Sequence, residues 1–268
     1  MNLPQELLDE ILSYLPPYDT KSLKSCSLVS KSWVEPSRRL LFANVHIRLG
    51  TYNSWKDTIS PTNANLLRHV RSLTFFSHIR FAYPRYSRYS SLPVRSFYTL
   101  RDYLPSFSQL RTLTLYCIHI EPTISERLEL LSAFRHTLGS LTLTTVSATW
   151  SSFVAFVGHF PNLRDLAILE ASLQADDLPV PTTIHAGRGS LCVNLVAENM
   201  DVLCNRLAEL KPEYNVLRLV GRYEHRLVAA VERTLESLTL STQYDCTWTS
   251  FVVSLSAAQA QVFLFFSQ

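Results

Sequence analysis

Asp176 and Asp177 are the first residues to weigh for chemistry, because paired carboxylates are common equipment for general acid–base work. They adjoin Leu178-Pro179 in a loop-like stretch, and side-by-side acids there read as solvated rather than catalytic. The eight histidines are scattered, and no two stand at the helical spacing that metal ligands need. The chain has no Gly-x-Ser-x-Gly elbow and no Gly-x-x-x-x-Gly-Lys loop. With only 6 glycines there is little to build such loops from, and GRGS at 187–190 reads as a turn. Five cysteines, Cys26, Cys117, Cys192, Cys204 and Cys246, are odd in number and widely spread. They read as reduced, buried thiols of an intracellular protein, without metal or redox spacing. The expectation is therefore a chain that is not an enzyme, with no catalytic residue, no metal and no cofactor.

What remains is the chemistry of recognition. Residues 78–104 carry Arg80, Arg85, Arg88, Arg95 and Arg101 interleaved with Tyr83, Tyr86, Tyr89 and Tyr98, and Asp102 is the only acid among them. Arginine with aromatics is the mix enriched in interface hot spots and on single-strand nucleic-acid surfaces. Arg85, Tyr86 and Arg88 are its candidate substrate contacts, against the plainer reading of a solvated loop. A net charge of only +3, from 25 basic and 22 acidic residues, argues for protein over nucleic acid.

These side chains need a scaffold, and the sequence repeats one. Windows of the form apolar-x-x-apolar-x-apolar occur at 70–75, 110–115, 138–143, 163–168, 214–219 and 235–240, with a weaker one, SLCVNL, at 190–195. Their fourth positions are Leu73, Leu113, Leu141, Leu166, Val193, Leu217 and Leu238, and the gaps are 40, 28, 25, 27, 24 and 21. Alternation inside each window predicts a strand. Stretches such as 151–160 and 200–210 predict helices between them. Residues 133–157 also parallel 230–254, with Trp150 matching Trp248, which predicts the same strand-then-helix unit twice. Units that cannot bury their apolar faces alone must stack into a solenoid. The leucines then point inward. Arg71, Ser72 and Thr74, Arg111, Thr112 and Thr114, Gly139, Ser140 and Thr142, Arg164, Asp165 and Ala167, and Glu236, Ser237 and Thr239 point outward along a concave recognition row. Arg71, Arg111 and Arg164 lead three of those sets and are candidate substrate contacts.

The chain begins differently. LPQELLDEILSYLP, residues 3–16, predicts a helix from Pro4 to the Pro16-Pro17 break, with Leu7, Leu8, Ile11, Leu12 and Leu15 in one wide apolar stripe. Asp19 is placed to cap a second helix, with Leu23, Cys26 and Leu28 or Val29 inward, and Ser30 to cap a third, KSWVEPSRRLLF, with Trp33 in the small core. About 40 residues rarely build a sufficient core alone, so the stripe must face a partner or the following domain.

L-P-x-E-L-L-x-x-I-L-x-x-L-P, a short polar loop and L-x-x-C-S-L-V-S-K-S-W resemble the F-box motif over about one sixth of the chain. The resemblance implies docking onto a Skp-family adaptor and, through it, a cullin–RING ubiquitin ligase. It implies adaptor contacts at Leu3, Pro4, Leu7, Leu8, Ile11 and Val29. The later windows resemble the irregular leucine-rich repeats of fungal F-box proteins, although the asparagines usual after each strand are mostly absent. The expected fold class is α/β: a three-helix F-box at 1–45, then an irregular leucine-rich-repeat solenoid with a parallel sheet at 46–268, carrying the insertion at 78–104. The expected function is a substrate-recruiting subunit of a Skp–cullin–F-box ligase in the cytoplasm or nucleus. The alternative is an interaction scaffold whose helices merely cap the solenoid. A cap would bury the Leu3-Pro4 region, and a docking module would expose it.

Two terminal features bear on membranes. The N-terminus lacks the basic-then-apolar pattern of a signal peptide. FVVSLSAAQAQVFLFF at 251–266 is 16 residues long and polar-interrupted, short of the roughly 20 needed to span, and predicts a packed helix plus strand. Its VFLFF end is no polar cap, and is expected as an edge strand, a partner site or the product of a truncated gene model.

Overall fold

A computed structural model describes residues 4–16, 19–48, 61–76, 107–117, 119–120, 129, 131–174, 176, 189–194, 207, 214–220, 237–244, 247–256 and 259–267. Three short helices open the chain: α1 (Gln5–Ser13), α2 (Thr20–Cys26) and α3 (Lys31–Leu41). Pro4 takes the N-cap position of α1, one residue before the helical turn expected of it, and its carbonyl accepts from the Leu8 N–H at 3.2 Å. Asp19 caps α2 as its residue type predicts, accepting from the Ser22 N–H at 3.0 Å. That hydrogen bonding holds the Asp19 carboxyl below its usual pKa. Ser30 occupies the α3 N-cap, but its hydroxyl turns to Ser32 instead of a backbone N–H. Leu28 and Val29, one of which was expected to point inward, are 85% and 65% exposed in the turn after α2.

One strand before the windows and the seven windows themselves become strands of one ten-stranded sheet: β1 (Asn44–Arg48), β2 (Ser72–Phe76), β3 (Thr112–Tyr116), β5 (Ser140–Thr144), β7 (Asp165–Leu169), β9 (Ser190–Asn194), β10 (Val216–Val220) and β11 (Ser237–Tyr244), all parallel and in that order. Val45, Leu73, Leu113, Leu141, Leu166, Leu191, Leu217 and Leu238 stand side by side in register and are all buried. Two residues on, Ile47, Phe75, Leu115, Leu143, Ile168, Val193 and Leu219 form a second buried row. Each fully buried leucine contributes about 1.5–3 kcal/mol, which is why the register is held.

This ladder corrects one window. Leu191, not Val193, is the partner of Leu166 and Leu217, so SLCVNL is read two residues too late and the gaps on either side become 25 and 26. A slip of two keeps every side chain on its face, so alternation alone cannot detect it. β1 is a strand the window pattern missed, and the domain boundary expected at 45 falls inside it.

After three of these strands the chain turns through a left-handed residue, Cys117 (φ 54°), Thr145 (φ 55°) and Glu170 (φ 56°), where asparagine or glycine would be at ease. It then adds a short strand to a second parallel sheet: β4 (His119–Ile120), β6 (Ser147–Thr149) and β8 (Ser172–Gln174). The 151–160 helix appears as α4 (Trp150–Gly158), capped by Thr149. Trp150, Phe153, Phe156 and Phe160 close the core over it. Asp176 is not a solvated loop acid. It accepts from the Ser151 N–H at 3.2 Å and from the Ser151 hydroxyl, so it secures the start of α4. Gly189 is more than a turn residue, since a Cβ there would lie 2.1 Å from the Arg164 carbonyl oxygen. Cys117 and Cys192 are free and half-buried rather than deep in the core, as is Cys26.

The C-terminal expectation is overturned. Residues 248–256 do not repeat the helix at 150–158. They form β12 (Thr247–Ser256), antiparallel to β11, and β13 (Gln259–Ser267) pairs antiparallel with β12. Trp150 starts a helix, whereas Trp248 lies in a strand. Thr, Val and Phe suit a strand in both sequences. The second copy has the open edge of β11 beside it, and filling that edge satisfies a row of backbone groups. The VFLFF tail is therefore an edge strand, as one of its readings held. Among the described residues no helix is long and apolar enough to cross a membrane. The 78–104 insertion, with Arg85, Tyr86 and Arg88, lies outside the described residues, as does the 200–210 helix apart from the buried, helical Leu207.

Candidate functional site

The wide stripe of α1 splits into two. Leu8 and Leu12, four residues apart, are fully buried, while Leu7 and Ile11, also four apart, are 45% and 44% exposed. Adjacent helical residues differ by about 100°, so one pair can face the bundle while the other faces away. The choice between them is fixed by α3. Asp9, between Leu8 and Leu12 on the helix, pairs with Arg39 of α3. The pair lies toward the inward side, where the burial of Leu8 and Leu12 supplies most of the energy that sets the orientation.

The outward side continues. Tyr14 follows Ile11 by three residues and is 77% exposed, and Pro4 is exposed at the start. Leu28 and Val29 add exposed apolar surface beyond α2, which also packs on α3. Among the residues whose side-chain exposure is described, the exposed large hydrophobics Leu7, Ile11, Tyr14, Leu28 and Val29 all lie in α1, at its C-cap or in the turn that follows α2. Apolar exposure running along one side of α1 marks a candidate partner site. The geometry suits an apolar protein surface, held by burial rather than by charge.

Of the predicted adaptor contacts, Pro4, Leu7, Ile11 and Val29 are exposed and available. Leu3 lies outside the described residues. Leu8 faces the core with 0% exposure and offers a partner nothing. Tyr14 and Leu28, which the sequence reading did not place on an exposed face, are exposed as well. Tyr14 was readable, since it extends the i, i+4, i+7 line of Leu7 and Ile11. The bundle meets the sheet through Glu35 of α3, which pairs with Arg68 at 2.9 Å and His69 at 3.2 Å in the 3-10 helix Pro61–His69. Burial lowers the His69 pKa more than the Glu35 charge raises it.

Residues 1–48 match the F-box-like family model. The chain thus carries an F-box-like domain, a kind that typically binds Skp-family adaptors and so suggests an adaptor-binding role in a ubiquitin ligase. The match ends at Arg48, the last residue of β1, so it includes the first strand of the sheet. No curated protein matches the chain.

The second set of predicted contacts lies on the sheet. Arg71, Arg111 and Arg164 each stand exposed just before a strand. They are brought together along one rim by backbone bonds: Arg111 N–H to the Arg71 carbonyl at 2.8 Å, Gly139 N–H to Arg111 at 2.9 Å, and Arg164 N–H to Gly139 at 2.8 Å. Behind them the outward face is a field of half-buried small side chains, with Thr74, Thr114, Thr142 and Ala167 in register. Phe76 and Tyr116 stack at its far end, with centroids 4.5 Å apart.

Proposed function

We propose that this chain is the non-catalytic, substrate-recruiting subunit of a Skp–cullin–F-box ubiquitin ligase. The helices dock the adaptor, and the following units, read as an irregular leucine-rich-repeat solenoid, hold a protein substrate. The observation that carries this reading is the exposure of Pro4, Leu7 and Ile11 beside a fully buried Leu8 and Leu12. A helix serving only as a cap would turn both stripes inward. Here the inner stripe alone completes the bundle, and the outer one is left for a partner. The F-box-like match over residues 1–48 supports the identity of that partner as a Skp-family adaptor. The subunit would act by proximity. Holding a substrate near the ubiquitin-charged end of the ligase raises its effective concentration, without chemistry on this chain.

Co-expression of the full chain with a Skp-family adaptor, followed by size exclusion, tests it. The native chain co-elutes with the adaptor, and Ile11→Asp does not while remaining folded. A native chain that elutes alone, soluble and folded, replaces this reading with the interaction scaffold.

A further inference from the structure

The rim of the sheet holds a groove of about 730 Å³ that includes Arg111, His136, Gly139, Asn162 and Arg164 in its lining. Its walls are tied in place. The Asn162 side-chain amide donates to the His136 carbonyl at 2.6 Å, joining the loop before β5 to the loop before β7. Gly139 stands in the ladder between the two arginines, so no side chain fills the space between them.

The groove is cationic. Among the described residues, Arg71, Arg111 and Arg164 pair with no carboxylate. The nearest acid in sequence, Asp165, is already engaged, accepting from the Ser190 N–H at 3.2 Å and the Ser190 hydroxyl at 2.6 Å. His159, below the same loops, has its pKa lowered by burial first and then by the positive charges of Arg135 and His136. Like charges on neighbouring ladder positions are destabilising. Two adjacent strands nonetheless begin with Arg71 and Arg111, and Arg164 follows two steps later.

The geometry points to a binding site for an extended anionic peptide, whose acidic side chains reach Arg111 and Arg164 across Gly139. The spacing fits. Two ladder steps are about 10 Å, and three residues of an extended chain in the polyproline II form span about 9 Å and return to the same face. Acidic groups three residues apart therefore meet the two guanidiniums, with His136 and Asn162 also lining the groove. Glutamates and phosphoserines share this chemistry, and charge-assisted bonds to guanidinium serve both. The assignment deepens the substrate-recruiting role and rests on it.

The test uses the full chain and three fluorescein-labelled peptides that differ at two positions three residues apart: glutamate, phosphoserine or glutamine. The glutamate or phosphoserine peptide binds, the stronger of the two naming the source of the charge, and the glutamine peptide binds at least about tenfold more weakly. Binding falls as salt rises. Gly139→Glu places a carboxylate between the arginines. Its Cβ meets only the Arg111 carbonyl oxygen, at 3.9 Å, so the fold accommodates it. That variant loses binding about as completely as the double variant Arg111→Ala with Arg164→Ala. Arg38→Ala, which removes an exposed charge on α3 outside the groove, leaves binding unchanged. Equal binding of all three peptides, binding of none, or an equal loss in Arg38→Ala overturns the site. Adaptor co-elution is measured on the same samples. A chain that co-elutes but ignores the acidic peptides disproves the groove alone, whereas a chain that fails to co-elute disproves the ligase role.

Discussion

Leu7 and Leu8 are neighbours in the chain and opposites in the fold. Leu8→Ala opens a cavity in the bundle and is expected to cost about 2–5 kcal/mol in denaturant unfolding. Ile11→Asp alters a side chain that is 44% exposed, and is expected to leave stability within about 0.5 kcal/mol while removing adaptor binding. If the two variants behave alike in both measurements, the division of the stripe is wrong. Periodicity made the stripe legible, but not which half faces out. That depends on packing against α3, including the Asp9–Arg39 pair thirty residues apart, and no local pattern shows it. Thr145 carries a second residue-scale prediction. It is β-branched and left-handed at φ 55°, a conformation that costs about 1–2 kcal/mol outside glycine and asparagine. Thr145→Asn is expected to raise stability by about 1 kcal/mol. A lower melting temperature would mean that the Thr145 bond to Glu170, 3.1 Å long, outweighs the strain.

At the scale of elements, α4 is held at its start by side chains from two sources. Thr149 caps it locally, and Asp176 reaches in from 25 residues away. Burial alone would raise the Asp176 pKa, but the hydrogen bonds from Ser151 and Thr149 outweigh it and set the value below normal. A carboxylate with a lowered folded pKa stabilises fully above its unfolded value, and that stability is lost as the pH falls through the folded one. Asp176→Asn is expected to cost about 1 kcal/mol at pH 7. In thermal melts from pH 7 to pH 3, its gap from the native chain closes below about pH 4. A gap independent of pH would remove the carboxylate's charge from the account. Gly189→Ala tests the contact between adjacent units. With a Cβ 2.1 Å from the Arg164 carbonyl oxygen, the two strand starts cannot keep their spacing, and a loss of about 3 kcal/mol or more is expected. A neutral result would show that β7 and β9 can separate there. The strands were the most legible elements, because Leu-x-Leu alternation survives even where the window is misplaced, as at Leu191. The Asp176 cap was invisible, since the sequence shows only two acids beside a proline.

Across the whole molecule, a parallel ladder runs from Val45 to Leu238, with a helical bundle at its beginning and two antiparallel strands at its end. The parallel order was legible from the spacing of the windows. The end was not, because β12 has nearly the composition of α4 and differs mainly in what lies beside it, the open edge of β11. Composition cannot carry that difference. The bundle's exposed face was legible only through its resemblance to a docking motif, since the pattern of leucines alone suits a cap equally well. The central claim, that this face binds a Skp-family adaptor, is tested most directly by calorimetric titration of the adaptor into the full chain and into Leu7→Asp with Ile11→Asp. The account predicts saturable one-to-one binding to the native chain with a negative heat-capacity change, the mark of apolar burial. It predicts no binding to the variant, whose melting temperature matches the native one. Equal binding to both chains, or no heat from the native chain, would contradict it.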